Sequence, residues 1–146
     1  MNTPSPKQFV LQEMDNDEQV NQDTIVDVKF QHIIYYLQNP GRFVDSKKNI
    51  PVDFIKAMNE MKNLDYNYED NFIGFENKKT NECVQFIRKG EDDWYAEVPI
   101  THGKGWDGYA WCCDTKSKPV MDMVRLFFEE VPWFGMLDWK MRRFKH

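Results

Sequence analysis

The chain has 146 residues, enough for one domain with a substantial core. Aromatics make up 15% of it and charged residues 29%, which excludes a disordered chain and predicts a soluble one. Its net charge is −5, but residues 140–146 hold four cations (Lys140, Arg142, Arg143, Lys145) and no acid, so residues 1–139 carry −9; such a body disfavours nucleic acid and suits a basic protein partner, although acids also serve solubility.

Residues 1–24 hold one lysine against five acids (Glu13, Asp15, Asp17, Glu18, Asp23) and read as a flexible acidic lead-in to a single α+β domain over residues 25–146. Phe9-Val10-Leu11 has the residues for a short edge strand. No basic region followed by an apolar core opens the chain, so a cytoplasmic location without membrane insertion is expected. Val26, Phe30, Ile33, Ile34 and Leu37 have the spacing of one apolar helix face, ended by Asn39-Pro40-Gly41. Val26, Val28 and Phe30 also alternate, which fits a strand over the first half. His32 flanks this stripe, and no second histidine stands at metal-ligand spacing.

A second helix is predicted from Pro51 to Lys62, with Phe54, Ile55, Met58 and Met61 on its apolar side. Next, Asp65, Tyr66, Tyr68, Glu69 and Asp70 combine two tyrosines with three acids. This segment is either a solvated loop or a contact surface, in which tyrosine supplies area and acid selects a basic partner.

From Asn71 onward the chain has short runs rich in aromatic and β-branched residues: 71–76, 82–88, 93–100 and 108–112. Polar breaks carrying turn chemistry separate the earlier ones, which predicts an antiparallel meander. Alternation places Phe72, Gly74 and Glu76 opposite Ile73 and Phe75, Cys83 and Gln85 opposite Val84 and Phe86, and Trp94, Ala96 and Val98 opposite Tyr95 and Glu97. Gly74 within a strand marks a bulge or a close approach, and Pro99 belongs at a strand end or an edge. Trp106 and Asp107, held between glycines, form either a packing tip or a recognition loop.

Ser117 and Pro119 then start a helix running to Val131, with Val120, Met123, Val124, Phe127 and Phe128 as its apolar stripe. Glu129 and Glu130 at its C-terminus oppose the helix dipole, which gives them weight as partner-facing residues. Met136–Met141 alternates and reads as a closing strand. The whole predicts an antiparallel meander sheet of about five strands with two or three helices packed on it.

Cys83, Cys112 and Cys113 are odd in number and two are adjacent, so reduced thiols are expected in place of a disulfide framework. No C-x-x-C, phosphate loop or metal motif is present, and no cofactor is implied. His102 lies near Cys112 and Cys113 in sequence, the ingredients of a Cys–His pair, but three histidines and three cysteines meet by chance often enough that no catalytic role is expected of them.

Ile73-Gly74-Phe75, Asp93-Trp94-Tyr95, the helix from Val120 to Phe128, Pro132 and Asp138-Trp139 follow one another in an order that resembles the Imm class of immunity proteins from bacterial polymorphic-toxin and contact-dependent inhibition systems. The resemblance covers roughly the C-terminal half. It implies a non-enzymatic cytoplasmic antitoxin that neutralises a cognate toxin, often a nuclease, by stoichiometric binding, as a monomer or weak dimer. A phage- or mobile-element-encoded inhibitor of a host defence protein would share the acidity and size, and a structural interaction domain would share the fold.

Overall fold

The structure, a computed structural model, describes residues 31–101 and 106–144. The predicted lead-in and the loop at 102–105, with His102, lie outside the described residues, as do the side chains of Thr101 and Asp107. In chain order the elements are β1 (Ile33–Asn39), β2 (Arg42–Val44), a 3₁₀ turn (Ser46–Lys48), β3 (Ile50–Pro51), α1 (Phe54–Lys62), β4 (Phe72–Asn77), β5 (Glu82–Arg88), β6 (Trp94–Thr101), β7 (Trp106–Thr115), α2 (Ser117–Glu129), a second 3₁₀ turn (Phe134–Met136) and β8 (Lys140–Arg143).

All the strand pairings are antiparallel, in the order β2-β1-β4-β5-β6-β7-β8, with β3 also on the free side of β1. The meander β4-β5-β6-β7 is therefore as the sequence predicts, but the sheet has eight strands where about five are expected. The main difference is β1. Residues 33–39 form a strand, and the helix expected over Val26–Leu37 is not formed there. Ile33-Ile34-Tyr35-Tyr36 is a β-branched and aromatic run, and it is covered on both sides, so a chance 3.6-residue spacing gives way to sheet pairing. Pro40 and Gly41 (φ 74°) then make the type II turn into β2.

Other boundaries move for local reasons. Pro51 belongs to β3, and α1 begins three residues later because the Asp53 carboxylate accepts the Lys56 N–H at 2.8 Å. Ile55, expected on the apolar side, is 73% exposed. The closing strand starts at Lys140 and not at Met136, since 134–136 is a 3₁₀ turn. Pro99 sits inside β6, at a point where β6 has run past its ladder with β5, so the missing N–H costs little.

Both helices pack on one face of the sheet. Val120, Met123, Val124, Phe127 and Phe128 of α2 are all buried, together with Ile73, Phe75, Val84, Phe86, Trp94 and Ala96 of the strands below and Ala57 and Met61 of α1. Phe128 meets Phe75 (5.6 Å between centroids, edge-on) and Phe54 of α1 (5.9 Å), and Phe127 meets Trp133 (5.5 Å). Among the described residues no helix is long and apolar enough to cross a membrane.

Ser117 is not the N-cap of α2 but its first residue; Lys116 holds the cap position without a side-chain bond. The cap comes from the β5–β6 loop, where the Asp92 carboxylate accepts the Ser117 N–H at 2.9 Å. That bond holds the Asp92 carboxyl below its usual range. Its contribution to stability is thus present above the unfolded-chain pKa and lost as pH falls through the folded one. Asp92→Ala should lower the melting temperature at neutral pH, with the difference from wild type closing on acidification below the carboxylate range. Phe127→Ala should cost about 3–5 kcal/mol in urea denaturation, since the ring is fully buried.

Candidate functional site

Because the helices cover one face only, the other face of the sheet is lined by the alternate residues of each strand. One row of cross-strand neighbours runs Tyr36, Gly74, Gln85, Glu97, Cys112, Lys140. Gly74 is required here by a close approach: the Tyr36 ring lies over it, and a Cβ at this position would collide with that ring.

The polar groups of the row are joined. The Tyr36 hydroxyl donates to Gln85 Oε1 at 2.8 Å, and Gln85 Nε2 donates to Glu97 Oε1 at 2.5 Å. Tyr95 donates to the other Glu97 oxygen at 3.4 Å, while its own hydroxyl accepts from Arg142 Nη1 at 3.0 Å. The Tyr36 oxygen also lies 3.1 Å from Cys83 Sγ. Since the one phenol proton goes to Gln85, the thiol donates here. Burial pushes the Cys83 thiol up to about 11, and burial raises the Tyr36 and Tyr95 phenols as well. At neutral pH the Cys83 group is a neutral donor and a poor nucleophile. All three cysteines are free.

Above this floor stands the loop after α1. Its anchor is Asn71, buried at the start of β4. The Asn71 side chain exchanges two bonds with the Arg88 backbone, accepting its N–H and donating to its carbonyl, both at 2.9 Å, and donates to the Tyr68 carbonyl at 2.8 Å. Arg88 completes the attachment. Its guanidinium donates to the carbonyls of Lys62, Leu64 and Glu91 and lies between the rings of Tyr66 (5.2 Å) and Trp94 (5.4 Å).

Floor and loop together enclose a pocket of about 560 Å³, lined among others by Tyr36, Phe72, Tyr95, Glu97, Glu69 and Asp70. Three carboxylates line it, and among the described residues no Lys, Arg or His does. Among the described residues neither Glu69, Asp70 nor Glu97 pairs with a cation.

The residues singled out from sequence separate into four groups. Glu69 and Asp70 reach the pocket, and Tyr68 supports it by accepting from Gln38 Nε2 at 3.2 Å. Asp65 and Tyr66 serve the loop itself: the Asp65 carboxylate accepts the Asn67 N–H at 2.9 Å, and Tyr66 stacks on Arg88. Trp106, the first residue of β7, lies against Phe144 and is not among the residues that line the pocket. The two glutamates that oppose the α2 dipole lie on the helix side and have partners of their own. Glu129 pairs with Arg125 at 3.6 Å, and His32 Nε2 stands 2.7 Å from Glu130, which closes the helix in a left-handed conformation (φ 61°). Their placement therefore has a local structural account, contrary to the expectation from the dipole alone.

Sequence reasoning missed Tyr36, Gln85, Tyr95 and Glu97 as one constellation. The signal was present in part, since alternation already puts Gln85, Tyr95 and Glu97 on the polar side of β5 and β6. Tyr36 was hidden by reading its strand as a helix. Among the described residues no group of three or more His, Cys, Asp or Glu side chains is placed to hold a metal ion. Comparison with protein-family models, with curated proteins and with solved structures finds no match.

Asn71→Ala should cost about 1–3 kcal/mol, because it leaves the half-buried Arg88 N–H without its acceptor. The same variant should be cleaved faster by protease within residues 64–70 under native conditions.

Proposed function

We propose that the protein is a non-enzymatic binding protein of the immunity type, which neutralises a cognate toxin by stoichiometric occupation through the face of its sheet opposite the two helices. The observation that carries this reading is the pocket with three carboxylates and, among the described residues, no cation in its lining. Carboxylates gathered on a concave surface repel one another, and a cationic side chain from a partner relieves that repulsion while gaining charge-assisted hydrogen bonds. The aromatic floor adds contact area and a surface on which a guanidinium stacks. The excess of negative charge over residues 1–139 extends the same preference to long range, where it speeds encounter with a basic partner. The resemblance of the C-terminal half to immunity proteins supports the same class, and a cytoplasmic site of action goes with it.

The test is binding kinetics against the protein that co-purifies from the native host, at low and high ionic strength. Glu69→Gln with Asp70→Asn, at the exposed rim, should slow association and weaken its salt dependence. Glu97→Gln, at the floor, should leave association unchanged and speed dissociation by about ten- to a hundredfold, the equivalent of about 1.5–3 kcal/mol for a charge-assisted bond. Salt-independent association together with wild-type binding by both variants would exclude the pocket as the site. A defence protein in place of a toxin as the co-purified partner would move the protein to the class of mobile-element inhibitors.

A further inference from the structure

The sheet ends at β8, and nothing described pairs with its outer side. All four of its residues are exposed, Met141 at 54%. The Phe144 N–H donates to the Gly108 carbonyl at 2.7 Å. Alternation along an antiparallel ladder therefore turns the backbone groups of Lys140 and Arg142 toward β7 and those of Met141 and Arg143 outward. An exposed edge of this kind is a template for another strand.

The side chains along the edge differ between its two faces. Lys140 and Arg142 register with Cys112 and Ala110 and belong to the open face, whereas Met141 registers with Trp111 and belongs to the helix side. On that side the edge is bordered by apolar groups: Trp111 meets Phe134 at 5.9 Å, Phe134 stacks on Trp139 at 5.0 Å, and Met136 is 40% exposed. Arg142 donates to Tyr95 and lies over the Phe144 ring, and Arg143 lies over Tyr109, so both are held in place by neutral groups. Among the described residues no carboxylate pairs with Lys140, Arg142 or Arg143.

We propose that the β8 edge accepts an extended segment of a partner protein as an added strand, in which acidic residues alternate with apolar ones. Its acids lie beside Lys140 and Arg142 on the open face, and its apolar residues continue the surface of Met141 and Trp139 on the helix side. Main-chain bonds to Met141 and Arg143 supply attachment, and the side-chain alternation supplies specificity. Charge decides against a second copy of this chain, because β8 paired with itself sets three cations against three. This site lies at the opposite charge extreme from the pocket and stands whether or not that pocket binds a toxin.

The experiment uses the full chain with two capped synthetic peptides of one composition, the first alternating glutamate with valine and the second carrying its glutamates in one block. Fluorescence anisotropy reads affinity, and amide hydrogen exchange reads position. The alternating peptide should bind at least tenfold tighter than the block peptide and should protect the Met141 and Arg143 amides. Lys140→Glu with Arg142→Glu should weaken it at least tenfold. Met141→Pro removes an outward N–H and spares the β7 ladder, so it should abolish binding while the Arg142 amide stays protected. Equal binding of the two peptides, or no protection at Met141 and Arg143, overturns the proposal. So does a single-stranded oligonucleotide that displaces the alternating peptide and loses affinity in the same charge variant, or a dimer in sedimentation that Met141→Pro dissociates.

Discussion

Phe128 joins the parts of this fold. Its ring is in contact with Phe54 on α1 and Phe75 on β4, and it adjoins Phe127 on its own helix. One side chain thereby holds two helices and the centre of the sheet in a single core. Apolar burial of this kind is the main favourable term in folding, and close packing fixes where the helices lie. Both helices are consumed on the same face. With only α1 and α2 available among the described residues, the opposite face of the sheet is left to the alternate residues of its strands.

That face is not a passive surface. A buried or half-buried polar side chain must find a partner, and here Tyr36, Gln85, Glu97 and Tyr95 satisfy one another in a chain across the sheet. The chain holds the Glu97 carboxylate with neutral donors, so its charge remains available to a ligand. Asn71 and Arg88 do the corresponding work for the acidic loop, replacing strand bonds with side-chain bonds where the backbone leaves the sheet. The two candidate surfaces thus follow from one asymmetry. Negative charge collects where a loop stands over the open face, and positive charge collects on β8, which has no neighbour outside it among the described residues.

Much of this arrangement was legible in the chain. The period-2 runs of β4, β5 and β6 gave the correct inward and outward residues, and the apolar stripe of α2 was correct at each of its five positions, all of them buried. These segments are amphipathic with a single period, so burial and local preference agree. The failures came where two periods fit the same residues. Ile33 to Leu37 satisfies a helical spacing, yet it lies beside β4, and its backbone groups are used by three strands.

The sequence by itself determined the α+β class, the meander, the helix stripe and the excess of acid over residues 1–139, because each of these depends on residues close together in the chain. The site needed the tertiary structure. Tyr36 and Gln85 are 49 positions apart and become bonded only when β1 inserts beside β4, and Glu69 comes to line one pocket with Glu97 only when Asn71 and Arg88 fix the loop. The partners of Glu129 and Glu130 were hidden for the same reason in the second case, since His32 is 98 positions from Glu130. Strand order and the choice of which face the helices cover are long-range decisions, made by packing and by closure of the hydrogen-bond ladder, and no local pattern encodes them.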